Sequence, residues 1–213
     1  MPGCLMHNAI PNPLKLLLRV LVTSTSVFLV TIILRHQLAQ LLVPITRFTI
    51  DTVQSEFAIQ SVDAVQDLSG EVIRVRANLV RPVEIGGRMF YPVGYGTSHS
   101  GGFQVTMTLG GMISYSIIAL IISLAWPTVG IKEIIIRALL ALPLMFILLL
   151  TNIAITFSAE LWTPIHNEWI PDINWSLLQY SRVLMGGGGL VAGLVCGALV
   201  IVVSRRIILN MKQ

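Results

Sequence analysis

The chain has 213 residues, of which 54% are hydrophobic and 11% charged, with a formal net charge of +4 at pH 7. A soluble domain carries about 25% charged residues, and the mean hydropathy here is +0.81. The composition excludes an ordinary soluble globular domain and predicts an integral membrane protein, mainly α. The two cysteines, Cys4 and Cys196, stand at opposite ends of the chain, which excludes a disulfide framework and a paired-cysteine metal site.

A span needs about 20 apolar residues, and four segments supply them. Residues 1–46 read as an N-terminal tail and transmembrane helix 1, apolar from Leu14 to Leu34, with Lys15 and Arg19 near enough to one end to snorkel. No A-x-A cleavage site follows, so this helix is expected to be a retained signal-anchor. The stretch "LRHQLAQLLVPI" could carry the helix beyond Arg35.

Residues 47–106 are the only sizeable polar segment and are expected to form a small extracytoplasmic antiparallel β segment between helices 1 and 2. "EVIRVRANL" alternates Ile73, Val75, Ala77 and Leu79 against Arg74, Arg76 and Asn78, and "GFQVTMTL" alternates in the same way. A period of two marks a half-buried strand. "FTIDTVQ" and "SEFAIQSV" are weaker strand candidates, and "DLSG" is a plausible hairpin turn. Between the strands, "GGRMFYPVGYGTSHSGG" holds six glycines and lacks the G-x-x-x-x-G-K-[ST] pattern of a phosphate loop. Arg74, Arg76, Arg88, Phe90, Tyr91 and Tyr95 are the partner-contact candidates; ion pairing within the sheet is the plainer reading of the arginines.

Residues 107–157 supply transmembrane helices 2 and 3, Met107 to Trp126 and Ile135 to Phe157. Residues 158–182 read as an outer interfacial loop, and residues 183–213 as transmembrane helix 4, Val183 to Ser204, with a cytoplasmic tail. Trp126, Trp162, Trp169, Trp175 and Tyr180 are expected as interfacial anchors, because amphipathic rings favour the headgroup level.

Charge sets the orientation. With both termini inside, the cytoplasmic side holds seven basic residues against one acid, whereas the other side holds seven arginines against nine acids. The positive-inside rule then places residues 47–106 outside, and the basic bias with a short signal-anchor points to a bacterial inner membrane.

Chemistry-bearing residues are sparse. The histidines fall in no metal-binding spacing; His99, His166, Glu168 and Asp172 are the weak metal candidates, and no catalytic residue is assigned. The spans lack the central ionisable residue that marks an ion path. Their small hydroxyls and Asn152 are expected to bond neighbouring helices. In "GGGGLVAGLVCG", Gly189, Gly193 and Gly197 recur every four residues, with Gly186 to Gly188 widening the face. Removing side chains lets another helix approach closely. The neighbour could be span one or three of this chain, another subunit, or a lipid or pigment tail.

The stretches "TLGGMISYSIIALIISLAWP", "RALLALPLMFILLLTNIAITF" and "LLQYSRVLMGGGGLV" follow a single anchor helix and a β segment, and the last helix ends in Arg-Arg. This layout resembles the small membrane proteins associated with exosortase systems. The Cys, Arg and His set of exosortases themselves is not recognisable, so the resemblance implies an accessory rather than a sortase. The expected function is a non-catalytic accessory or structural subunit of a multi-subunit membrane complex. It would bind other integral membrane subunits and the lipid bilayer through its Gly-rich helix face and β segment. No cofactor and no nucleic acid are expected, though bound lipids are. The alternative is a membrane enzyme or metal-site protein with an outer-face His/Glu/Asp site.

Overall fold

The computed structural model describes residues 13–68, 70–85, 88–90, 102–128, 130–169 and 176–211. Helix α1, Pro13–Ile33, passes through Leu34 into α2, Arg35–Val53. Strands β1, Phe57–Asp67, and β2, Gly70–Leu79, follow, then the short β3, Val83–Ile85, and β4, Arg88–Phe90. Strand β5, Gly102–Thr108, runs directly into α3, Leu109–Ala125. Helix α4 spans Ile131–Trp169, α5 spans Ser176–Val183, and a π-helical turn at Leu184–Gly188 leads into α6, Gly189–Asn210.

Among the described residues three stretches are long and apolar enough to cross a membrane: Pro13–Ile33, Ile131–Pro164 and Leu178–Asn210. They make the protein membrane-embedded. Helix α3 is also apolar but has 17 residues, about 25 Å at 1.5 Å per residue.

Alternation is realised in the three-stranded sheet, ordered β1-β2-β5 and antiparallel throughout. Ile73, Val75, Ala77 and Leu79 all face inward and are buried, and Val105 joins them from β5. The chain turns after Leu68 and enters β2 at Gly70, whose φ of +106° suits a residue without Cβ. In β1 the register shifts between Ile59 and Ser61. The bulge changes which residues point inward: Phe57 and Ile59 before it, Val62 and Ala64 after it, so the strand shows no simple period.

Several boundaries differ from the sequence expectation: β5 runs to Thr108 where helix 2 was expected from Met107, and residues 176–182 of the expected outer loop are helical in α5. "FTIDTVQ" lies mostly within α2, not in a strand. Ala39, Leu42, Thr46, Thr49 and Ile50 make a buried stripe at helical spacing, and Thr49 and Thr52 bond back to the carbonyls four residues earlier. The β segment therefore begins after Val53 and not at residue 47. Nor does helix 3 stop at Phe157. It continues to Trp169, so residues 158–169 are helix and not an interfacial loop. Its extension is buried from Thr156 to Trp162 by the sheet and α2, and packing overrides the polar residues there.

These parts share one core. Ala39, Leu42 and Ile50 of α2 meet Phe57, Ile73 and Val75 of the sheet and Ile153, Phe157, Leu161 and Trp162 of α4. The sheet is thus mounted on the end of the helical bundle, its inner face closed.

Candidate interaction surface

The bundle is held by polar side chains that donate to backbone carbonyls of neighbouring helices. Asn152 Nδ2 donates to the carbonyls of Gly111 and Met112, 3.1 and 2.8 Å, and its Oδ1 accepts from Thr156 at 3.2 Å. Ser116 donates to the Met145 carbonyl at 3.0 Å. These pairs run in opposite sequence directions, so α3 and α4 are antiparallel. Thr108 begins α3 as its N-cap, its hydroxyl accepting from the Gly111 N–H at 3.2 Å.

The glycine face packs within the chain, against α3. A Cβ on Gly189 would collide with the Tyr115 ring, one on Gly193 would lie 2.6 Å from the Tyr115 carbonyl oxygen, and one on Gly197 would lie 2.8 Å from Ile122 Cβ. The atoms nearest Gly189, Gly193 and Gly197 all belong to α3, which was not among the neighbours the sequence left open. Gly186 has nothing within 4 Å and takes no part. Tyr115 also donates its hydroxyl to the Leu184 carbonyl at 2.9 Å, fixing the π turn, where Gly187 adopts φ +117°.

At the opposite end of the bundle lies a charge cluster that sequence reasoning missed. Arg137 is 0% exposed and Glu133 is 2% exposed. The Arg137 guanidinium donates to the carbonyls of Ser123, Trp126 and Pro127 at 3.1, 2.7 and 3.2 Å, and it is paired with the Glu133 carboxylate. Arg205 approaches the same carboxylate at 3.7 Å. The last carbonyls of a helix lack intrahelical donors and carry its negative dipole end. Arg137 supplies both hydrogens and charge to α3 there. The Glu-x-x-x-Arg spacing was a readable signal; Arg205 joining it was not.

The outward face of the sheet is the remaining polar surface. Arg74 and Arg76 project from the central strand, opposite Asp63 and Ser61 on one side and Thr106 and Gln104 on the other. Ser61 donates to Asp63 at 2.9 Å, and Arg76 Nε donates to Gln104 Oε1 at 3.4 Å. Arg74 Nε has no hydrogen-bond partner among the described residues. Nearby arginines differ: Arg47 is paired with Asp51 and Arg81 with Glu56. Among the described residues neither Arg74 nor Arg76 forms an ion pair, whereas Arg81 pairs with Glu56, so the pairing that was the plainer expectation is found at one arginine and not at these two.

Other candidates are distributed as follows. Arg88 and Phe90 lie in β4, paired with β3, while Tyr91, Tyr95, His99, Asp172 and Trp175 lie outside the described residues. His166, Glu168 and Trp169 are in the last turns of α4, with side chains outside the described set. Trp162 is no surface anchor: it is 5% exposed, its Nε1 donates to Gln54 Oε1 at 3.1 Å, and its ring meets Phe57 edge-on at 4.9 Å. Trp126 is half-buried at the end of α3, and Tyr180 is exposed on α5. His36 bonds Gln40 and contacts Glu71, joining α2 to the sheet. No family model, curated protein or solved structure matches this chain.

Proposed function

We propose that this protein is a non-catalytic accessory subunit of a multi-subunit membrane complex, built to hold a small α/β module at the membrane surface. The observation that carries this reading is the sheet's outward face, where, among the described residues, Arg74 and Arg76 form no ion pair while Arg47 and Arg81 do. A partner segment bearing carboxylates complements that face. The closed inner face, shared with α2 and α4, fixes the module's position relative to the bilayer.

In this reading α3 is the fourth span. It packs against both α4 and α6, antiparallel to the first and parallel to the second, and it crosses with them. Lys15, Arg19, Lys132, Arg137, Arg205 and Arg206 then gather at the end away from the sheet, so both termini are cytoplasmic and the module is extracytoplasmic. The inner membrane of a bacterium is the proposed location. The resemblance of the layout to exosortase-associated proteins makes such a system the first place to seek the partner.

The test is a photoreactive amino acid at position 76 in native membranes. The expected result is an adduct with another polypeptide that position 202, exposed on α6, does not give. Labelling of lipid or water alone at position 76 overturns the reading.

A further inference from the structure

A groove of about 590 Å³ opens along the bundle. Helix α3 forms its floor through Ile113 and Ile117, α1 and α4 form its walls through Val30 and Met145, and α2 roofs the sheet end through Leu42. Helix α1 leans on α3 while α2 leans on α4, and this division leaves the gap between α1 and α4. No residue of α1 is buried.

The groove offers a ligand only hydrocarbon. Its hydroxyls are Ser26, Thr31 and Ser116, and two of these already donate within the protein, to Val27 and Met145 carbonyls at 2.8 and 3.0 Å. Both walls belong to helices of membrane-spanning length and composition, so the groove lies at the depth of lipid tails. Left empty, its lining would lose dispersion contacts on one side.

We infer that the groove holds one acyl chain of a bilayer phospholipid as a resident tail that joins α1 to α4. The α2 roof at the sheet end stops a straight partner helix of membrane-spanning length, about 30 Å, from running through the groove. A flexible single chain fits beneath the roof, and about 590 Å³ lies within the range of small-molecule sites. This inference depends on membrane embedding and not on the accessory-subunit reading.

The test is native mass spectrometry of the full chain, reconstituted into phosphatidylglycerol vesicles and re-extracted in mild detergent. The wild type and Val202→Trp, altered on the exposed side of α6, are expected to retain one phospholipid per chain. Ile117→Trp, which fills the floor, is expected to lose it. If Ile117→Trp cannot be extracted folded, Ile45→Trp fills the groove from the roof and is read in the same way. A bare wild-type chain, or equal retention in the groove-filling variant, overturns the inference. So does a groove labelled by another polypeptide in native membranes when a photoreactive residue replaces Val30.

Discussion

A methyl group on Gly193 would sit 2.6 Å from the carbonyl oxygen of Tyr115, so these two residues set the closest approach of α6 to α3. Gly193→Leu is expected to destabilise the bundle by about 1–3 kcal/mol, the usual cost of overpacking. Gly110→Ala, where nothing lies within 4 Å, is expected to be neutral or slightly stabilising through helix propensity. Denaturant unfolding in detergent, followed by circular dichroism, separates the two. Equal behaviour of both variants would show that α3 does not occupy the glycine face.

Asn152→Ala removes two bonds from α4 to the start of α3. Interhelical polar bonds in membranes average about 0.6 kcal/mol and reach about 1.7. Because this amide serves two carbonyls, a loss of about 1–2 kcal/mol is expected in the same unfolding assay. Thr156→Val, which removes only the bond to Asn152, is expected to cost less than Asn152→Ala.

The Arg137 cluster is expected to be non-additive. Replacing one member of a buried pair costs about 3–5 kcal/mol, because the other charge loses its compensation. Arg137→Met is therefore expected to be more damaging than Arg137→Met combined with Glu133→Leu. A double variant as unstable as the sum of the two single variants would rule out coupling between them.

Trp162 ties α4 to the sheet through Gln54 and Phe57. Trp162→Phe keeps most of the apolar contact and loses the bond, with an expected cost of about 1 kcal/mol. Trp162→Ala is expected to cost about 3–5 kcal/mol and to speed proteolytic cleavage between Gln54 and Phe57. Unchanged cleavage in Trp162→Ala would mean the sheet is held by other contacts.

What could be read in advance follows physical locality. Strands β2 and β5 were legible because burial on one face writes itself as alternation. Strand β1 was faint because its bulge near Gln60 changes the inward parity midway. Helix α2 was half legible: its threonines resemble strand residues, and only tertiary contact with the sheet selects the helix. Trp162 read as an interfacial ring because nothing local distinguishes a buried tryptophan from an anchoring one. The spacing of Gly189, Gly193 and Gly197 announced close packing, yet the identity of α3 as the neighbour depends on bundle geometry. Glu133 and Arg137 were close enough in sequence to be read as a pair; their burial depends on α3 ending above them.

The central claim is that the sheet's arginine face binds another polypeptide. Mild-detergent extraction of the native protein, size separation and mass spectrometry test it most directly, run beside Arg76→Glu. Substitution at this exposed position is expected to change stability by no more than about 0.5 kcal/mol. The account predicts a discrete assembly containing at least one other polypeptide with the 23.3 kDa chain, and its loss in Arg76→Glu. A wild-type chain that migrates alone or only with copies of itself would contradict the account.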